Sequence, residues 1–443
     1  MVEVNIGIGF LTIILFSLLI ITLFAGVPLA FALGGTAVIF SLLFWSSNSL
    51  FIFAQQTFSL MNNVVMVAVP SFILMGATLG ESGVAEDLYA TAYRWLGQLR
   101  GGLAIGTVAI CAVFAAMSGG SAAGTVTMGI VALPSMFKRN YKPKLAMGSV
   151  MGGGALGILI PPSIPMIIYG MVTGVSVGRL FIAGIVPGLL LVIMFISYIL
   201  VISWVNRDQA PAIPVEEMGT LKVRLASLIS VILPLILIII VLGSIYTGIA
   251  TPTEASAVGA FGAFVIAAIH RKLNAHSIWK ILKESGRLTA MIMWIVLAGM
   301  CFSSVYQALG ANQLIIQLLK NISMEPWVIL ILMQVSFFIL GMLMDVSGII
   351  FITMPIYFPI ILLLGFDPLW FGVLFIVNME MAYLTPPFGF NLFFIKAIVS
   401  DRGIGIGQIY RAAIPFIFIQ ALCLIIVMVF PEIVLWLPNM MLT

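Results

Sequence analysis

Charged residues are scarce in this sequence. They make up 8% of its 443 residues, while hydrophobic residues make up 62%; in soluble proteins about 25% of residues are charged. Long apolar runs occupy 6–24, 180–205, 225–245 and 412–430. Each approaches or exceeds the roughly 20 residues that a helix needs to cross the hydrocarbon core. The composition therefore excludes a soluble protein and predicts an all-α polytopic protein embedded in the lipid bilayer.

Three other signals are missing or weak. The three cysteines, Cys111, Cys301 and Cys423, lie in apolar stretches, so we interpret them as small hydrophobic residues rather than disulfide partners or metal ligands. No basic region precedes the first apolar run, so a cleaved signal peptide is not expected. No Gly-x-x-x-x-Gly-Lys-Ser/Thr string occurs, so ATP-driven transport is not expected. No organic cofactor is predicted either. The net charge of +4 follows from membrane topology and does not predict a nucleic-acid partner.

Proline positions recur at a fixed distance along the chain. Pro134 matches Pro359 at an offset of 225 residues, and the pair at 161–162 matches the pair at 386–387 at the same offset. This duplication predicts a first repeat at 1–206, a cytoplasmic connector at 207–222 and a second repeat at 223–443. In membrane transport proteins, two such halves form the binding site where they meet.

We expect about ten crossings and two helical hairpins. The hairpins are predicted at 101–137 and 326–363, and each is followed by a broken helix, at 145–174 and 368–395. The other crossings are predicted near 6–25, 27–45, 63–80, 180–206, 225–245, 251–270, 288–306 and 412–430. Each repeat then holds five crossings, an odd number, so the second repeat should be inserted upside down relative to the first.

Basic residues predict the orientation. With the amino terminus outside, 17 lysine and arginine residues lie in inner segments and only Arg179 and Lys320 lie outside. This asymmetry satisfies the positive-inside rule and places both termini on the periplasmic side. The same count results whether the hairpins are re-entrant or cross completely. Two amphipathic segments, 86–99 and 275–287, predict helices on the inner membrane surface; the alternative for 86–99 is a loop packed on the protein.

Glycine and proline interrupt the apolar helices at four places, 117–125 and 152–163 in the first repeat and 344–348 and 380–391 in the second. A half-helix that begins after a break presents free amides and a positive dipole end to an anion. A half-helix that ends before a break presents carbonyl oxygens that suit a sodium ion. One break alone is explained equally well as a packing kink, but four breaks in paired positions favour a binding site.

These breaks predict two sodium sites and one substrate site, with sodium as the only metal. The first sodium site draws on Ser118, Gly119, Gly120, Ser121, Gly154 and Gly157. The second draws on Asp345, Val346, Ser347, Gly348, Met381 and Thr385. The substrate, an anion, is predicted to contact Ser121, Pro162, Ser163, Pro387, Phe388 and Asn391.

Acidic side chains within apolar segments are costly and usually functional. We place Asp345 in or beside the second sodium site. Glu380 is interpreted either as a coupling acid or as a structural acid bonded to the broken backbone. Glu254 lies three residues after Thr251, which predicts a capping box at the start of a helix instead.

Four strings carry a resemblance to a known family. They are Ser118-Gly119-Gly120-Ser121-Ala122-Ala123-Gly124-Thr125, Gly157-Ile158-Leu159-Ile160-Pro161-Pro162-Ser163, Thr251-Pro252-Thr253-Glu254-Ala255 and Leu384-Thr385-Pro386-Pro387-Phe388-Gly389. Together they resemble the large membrane subunit of the tripartite ATP-independent periplasmic (TRAP) transporters, over essentially the whole chain.

The resemblance implies a sodium-driven importer of organic anions in a bacterial or archaeal inner membrane. It also implies an elevator mechanism, a small four-helix membrane subunit and a periplasmic substrate-binding protein. In such a movement, 1–80 and 180–270 would form the fixed scaffold. No reaction is implied, so the protein is not expected to be an enzyme.

Two other functions are alternatives. A stand-alone sodium/dicarboxylate symporter would use the same hairpins without a binding protein. An intramembrane aspartyl protease using Asp345 would need a second carboxylate that shares a proton, and Met342-Leu343-Met344 replaces the Gly-x-Gly that should precede that aspartate.

Overall fold

The computed structural model describes residues 7–44, 47–311, 324–387 and 389–441, and no β-strand occurs among them. Within these ranges, seven helices are long and apolar enough to cross a membrane. The prediction of an all-α polytopic membrane protein is confirmed.

Ten α-helices lie within the described residues of the first half. They are α1 (Ile8–Phe24), α2 (Leu29–Phe44), α3 (Phe51–Met61), α4 (Ala68–Glu81), α5 (Val84–Leu96), α6 (Gly102–Ser118), α7 (Ser121–Lys138), α8 (Pro143–Ala155), α9 (Ile164–Thr173) and α10 (Val177–Val205). Short 3-10 turns lie at Ser47–Leu50, Val64–Val67 and Leu156–Ile158. The predicted hairpin is the pair α6–α7, and the predicted broken helix is the pair α8–α9.

The second half repeats this order. Its helices are α11 (Leu221–Ser227), α12 (Ile229–Tyr246), α13 (Pro252–Ile269), α14 (Ala275–Ala308), α15 (Pro326–Gly341), α16 (Val346–Leu363), α17 (Pro368–Ala382), α18 (Phe390–Ile398), α19 (Ile406–Val429) and α20 (Glu432–Asn439). The second hairpin is α15–α16, and the second broken helix is α17–α18. Pro252 opens α13 within the predicted capping box, because Thr251 and Glu254 each bond the other's backbone amide.

Two local predictions need correction. The segment 275–287 is not a separate surface helix, because it continues without a break into the crossing as the 34-residue helix α14. At about 1.5 Å per residue this helix is longer than the hydrocarbon core is thick, so it extends beyond the core. The helix α3 was not predicted at all, since its run Phe51–Met61 includes Gln55, Gln56 and Thr57 and is only moderately apolar.

Helices pack reciprocally between the halves. The helix α2 packs against α14, and α13 packs against α4; likewise α7 packs against α18, and α16 packs against α9. Each hairpin therefore lies against the broken helix of the other half. The boundaries of the repeats and their inverted orientation in the membrane stay predictions.

The segments predicted to lie inside, near 81–100, 138–144, 207–224, 271–287 and 396–411, contact one another. In the connector, Glu217 accepts hydrogen bonds from Arg139 and Tyr93, and Arg402 lies over the ring of Phe137 at 5.0 Å. Between α14 and α4, Lys280 pairs with Glu81 at 2.7 Å. The basic segments thus form one surface of the protein, as the charge asymmetry requires. The helix α5 belongs to this surface and packs along α6, so 84–96 forms a helix rather than a loop.

Candidate functional site

The tip of the first hairpin is a two-residue turn. The helix α6 ends at Ser118, Gly119 adopts a left-handed conformation with φ of 67°, Gly120 is extended, and α7 starts at Ser121. A side chain at Gly119 would be strained because its φ is positive. The turn leaves the carboxyl end of one helix beside the amino end of the next, which is the arrangement that the glycines predict.

This tip packs closely on the first broken helix. A Cβ atom added to Gly157 would lie 2.5 Å from the Gly120 carbonyl oxygen, and the Ile164 amide donates to the Gly119 carbonyl at 3.2 Å. A Cβ atom on Gly154 would lie 1.9 Å from Thr125 Oγ1. The residues predicted for the first sodium site are therefore brought together, and glycine is what permits the contact.

Thr125 is a functional candidate that sequence analysis missed. Its hydroxyl is buried and has no hydrogen-bond partner among the described residues, although a buried polar group is normally satisfied. It lies one helical turn after Ser121 and faces Gly154. That four-residue spacing on α7 was the available signal. An unpaired oxygen in this position suits a cation ligand.

The second hairpin tip is held by Asp345. Its Oδ2 accepts from the Ser347 amide at 2.9 Å and caps α16, and its Oδ1 accepts from the Tyr383 hydroxyl at 3.1 Å. Tyr383 immediately follows α17, so this bond joins the tip to the second break. Val346 and Gly348 belong to the first turn of α16. Sequence analysis gave no role to Tyr383, because its distance from the aspartate along the chain hides the contact.

The second break begins where α17 ends. Thr385 Oγ1 donates to the Met381 carbonyl at 2.8 Å, so these two predicted ligands contact each other directly. The Tyr383 carbonyl accepts the Asn391 amide at 3.3 Å. Through Tyr383, then, the structure connects Asp345 with the start of α18.

The two halves meet at Asn391. Ser121 Oγ donates to Asn391 Oδ1 at 2.7 Å, and Asn391 Nδ2 donates to the Met151 carbonyl at 3.1 Å. Both side chains are buried. The first hairpin tip, the first broken helix and the second broken helix are therefore joined by one asparagine.

The Ser163 hydroxyl bonds to its own broken helix in this conformation. Its hydroxyl donates to the Ile158 carbonyl at 2.5 Å and caps α9 by accepting from the Met166 amide at 3.4 Å. Pro162 contacts the tip, since its carbonyl lies 3.3 Å from a Cβ atom added to Gly119. Pro387 lies within the second break, and Phe388 lies outside the described residues. Ser163 would have to release a hydrogen bond to contact a ligand, and the substrate site stays a prediction.

Glu380 is buried in the last turn of α17. Neither carboxyl oxygen has a hydrogen-bond partner among the described residues, so the predicted bond into the broken backbone is not present in this conformation. The alternative, a coupling acid, stays a prediction.

The geometry offers both ends of helices at one centre. Around Gly119, Asn391 and Asp345, four helices begin and four end. Those that begin are α7, α9, α16 and α18, and those that end are α6, α8, α15 and α17. Their contacts run from Ile164 through Gly119 and Ser121 to Asn391, and from Asn391 through Tyr383 to Asp345. Amides at helix starts attract anions, and carbonyls at helix ends attract hard cations. A multi-pass helical protein with such paired broken helices belongs to the class of secondary transporters.

Similarity to known proteins shows the family to which the chain belongs. The family "Tripartite ATP-independent periplasmic transporter, DctM component" matches residues 16–433. The C4-dicarboxylate TRAP transporter large permease protein of Pseudomonas aeruginosa is 40% identical, over 90% of this chain and 92% of its own length. The ectoine TRAP transporter large permease protein of Halomonas elongata is 31% identical, over 97% and 99%. This chain belongs to the DctM family of TRAP transporter large permeases.

A solved structure has the same fold. The YdaH transporter of Alcanivorax borkumensis, whose crystal structure is described as having an unusual topology, superposes with a TM-score of 0.66 at 14% identity, covering 93% of this chain and 98% of that chain. The predicted family is confirmed, and since its members are transport permeases, the protein is not an enzyme. The aspartyl-protease alternative is thereby wrong.

Proposed function

We propose that this protein is the large membrane subunit of a sodium-coupled importer of small organic anions. The observation that carries the proposal is the convergence of four helix starts and four helix ends around Ser121 and Asn391. Helix-start amides suit an anion and helix-end carbonyls suit sodium, and each hairpin tip here lies against a broken helix.

Sodium would be held by two groups of ligands. In the first half they are the Ser118–Ser121 turn, Gly154, Gly157 and the unpaired Thr125 hydroxyl. In the second half they are Asp345, the first turn of α16, and the Met381 and Thr385 oxygens. Oxygen ligands suit a hard cation, and a carboxylate adds attraction that is strong where water is excluded.

The substrate would be a small organic anion held between the two sodium groups. No arginine side chain lies among the described residues of the four breaks, so helix-start amides and the polar side chains Ser121, Ser163 and Asn391 would have to recognise it. Relatives are named for C4-dicarboxylates and for ectoine, which are chemically different. We take a C4-dicarboxylate as the first candidate because the relative named for it has the higher identity.

The partners would be a small four-helix membrane subunit and a periplasmic binding protein that delivers the substrate. The family description, a tripartite periplasmic transporter, supports both, and it disfavours the stand-alone symporter. The protein would lie in a bacterial or archaeal inner membrane with both termini periplasmic. The hairpins and broken helices would move together past the scaffold.

The proposal is tested in proteoliposomes that contain both membrane subunits, with the binding protein outside. We expect radiolabelled succinate to accumulate when an inward sodium gradient is imposed and not when potassium replaces sodium. Unlabelled ectoine and isethionate serve as competitors that distinguish the substrate class. Uptake that is unchanged without sodium would refute the coupling.

The second sodium site is tested without any substrate, by binding of radioactive sodium to the purified protein. The Asp345→Asn variant keeps the shape of the side chain but removes its charge. We expect its apparent sodium affinity to fall by roughly tenfold or more, which corresponds to about 1.4 kcal/mol. An Asp345→Asn protein with the sodium affinity of the wild type would remove this carboxylate from the site.

A further inference from the structure

A cavity of about 800 Å³ lies between the second hairpin tip and the helices α1, α2 and α14. One wall is formed by Met344 and Asp345 of the tip, together with Phe390 at the start of α18. The facing wall is formed by the turn between α1 and α2 and by Met291 and Trp294 of α14. The volume lies in the range of about 300–1,000 Å³ that is typical of small-molecule sites.

The lining is apolar with one exception. Asp345 has the only charged side chain among the described residues that line the cavity. The carboxylate accepts hydrogen bonds from the Ser347 amide and the Tyr383 hydroxyl, neither of which lines the cavity. A carboxylate accepts about four hydrogen bonds, so two of its positions remain free for a donor that enters the cavity.

This chemistry excludes the anion that the protein is proposed to transport. An anion would meet apolar walls and a like charge, and both oppose its binding. A small hydrated cation would leave most of the apolar volume unfilled. The complementary ligand has an apolar body of several carbon atoms and one cationic group that donates hydrogen bonds.

We propose that this cavity is a binding site for amphipathic organic amines, whose ammonium group pairs with Asp345 and whose apolar part fills the space against α2 and α14. Entry from the bilayer fits the rim, because Phe24 and Phe31 are exposed to the extent of 68% and 67%. An occupant would bridge the hairpin tip and the helices opposite. If the proposed function holds, the bound amine would compete with sodium at Asp345 and prevent the hairpin from moving.

Binding is tested with three probes that share one tail. Dodecylamine, dodecanol and dodecanoate are each added at equal concentration, below the level at which they form micelles, to the purified protein in lipid nanodiscs. We expect dodecylamine to raise the melting temperature, dodecanol to raise it less, and dodecanoate to have no effect. Equal shifts with all three probes, or none with the amine, would overturn the proposal.

Two variants locate the site. Asp345→Asn should make the responses to amine and alcohol equal, because it removes the charge but not the cavity. Ala30→Trp should abolish both responses, because Ala30 lines the cavity and a tryptophan would fill it. The control Ala226→Trp lies on the exposed face of α11 and should respond like the wild type. Should Ala30→Trp fail to fold, the smaller Ala30→Leu replaces it, with a partial loss expected.

Competition separates this proposal from the sodium-coupled function. In the substrate-free sodium-binding assay, dodecylamine should lower bound sodium at least twofold in the wild type, and dodecanol should not. A protein that binds the amine through Asp345 but binds no sodium would leave the cavity site intact and refute the sodium site. A protein that binds sodium with or without the amine, and shows no charge preference among the probes, would refute the cavity site alone.

Discussion

At the scale of single residues, glycine decides how closely the first hairpin approaches the broken helix. Gly157 lies against the Gly120 carbonyl, and Gly154 lies against Thr125. In both contacts an added methyl group would meet backbone or a buried side chain that has no room to move. The site therefore depends on glycines, which have no side chain to block the contact, as much as on polar side chains.

Replacing Gly157 by alanine tests this contact. The new Cβ atom would lie 2.5 Å from the Gly120 oxygen, so the hairpin tip must shift outward. We expect a stability loss of about 1–3 kcal/mol, as for overpacking elsewhere, and a several-fold loss of sodium affinity. Thermal unfolding and radioactive sodium binding measure the two effects.

The matched control is Gly80→Ala in α4, where an added Cβ atom has no neighbour within 4 Å. It should leave sodium binding unchanged and, since alanine favours helices, should not lower stability. If Gly157→Ala behaves like Gly80→Ala, the close packing of the tip has no role in the site.

Residues of the site could be predicted only where a local pattern reveals them. Gly119, Gly120 and Asp345 interrupt apolar helices, so they stand out in the sequence. Tyr383 contacts Asp345 across 38 positions, and no periodicity indicates such a pair. Ser163 illustrates the opposite problem, because a serine after two prolines predicts either a helix cap or a ligand, and in this conformation it caps α9.

At the scale of elements, the connector between the halves is fastened to the first hairpin. Arg139 follows α7 and bonds both Glu217 and Tyr93, so the connector, the hairpin base and α5 share one cluster. The Arg139 guanidinium, and then the Tyr93 hydroxyl, hold the pKa of Glu217 below its usual value of 4.5. Further along, the Lys142 amide donates to the Gln209 carbonyl at 2.9 Å.

This cluster predicts a pH dependence. Because the pKa of Glu217 is lower in the folded protein, its stabilising effect is present above pH 4.5 and is lost as the pH falls through the lowered value. Glu217→Gln should therefore lower the melting temperature slightly at neutral pH, and the difference should vanish in strong acid. The effect is small because exposed ion pairs contribute little.

The comparison variant is Glu284→Gln, which is exposed on α14. A difference between Glu217→Gln and the wild type that stays constant from neutral to acidic pH would contradict the assignment.

Helices with a strong apolar signal could be predicted from the sequence, but whether two neighbouring segments form one continuous helix could not. Both broken helices and the first hairpin tip lie at the predicted clusters of glycine or proline, because such clusters weaken a helix, whereas the single prolines Pro134 and Pro187 lie within helices. The junction of 275–287 with the crossing was missed because charge marks where a helix leaves the hydrocarbon core, not where it ends. The same helix α14 carries Lys280, which is paired with Glu81, and the buried Ile295.

At the scale of the whole molecule, neither half buries its faces alone. The helix α2 lies against α14 of the other half, and α13 lies against α4. Within the second half, Gly299 of α14 also packs against Phe351 of the second hairpin. Duplicated prolines predict the repeat, but reciprocal packing depends on side-chain shapes at distant positions, which no local pattern specifies.

Separate expression of the halves tests this dependence. A fragment of residues 1–206 should be degraded in the membrane when expressed alone, because it exposes surfaces that α13, α14 and α18 normally cover. Coexpression with residues 207–443 should restore it, measured as the amount of each fragment that copurifies with the other. A first fragment that is equally abundant in both cases would show that the halves fold independently.

The hydrogen bonds of Asn391 have a consequence for synthesis. Ser121 leaves the ribosome long before Asn391, its partner on α18. The first hairpin tip is therefore in the membrane without this partner while most of the remaining crossings are inserted. During that interval the tip can pack on the first broken helix, but the Ser121 hydroxyl lacks the asparagine partner that it has in the folded protein. The order of translation thus makes the oldest part of the site the last to be completed, and a nascent chain stalled before α18 should present this tip to insertion chaperones and membrane proteases.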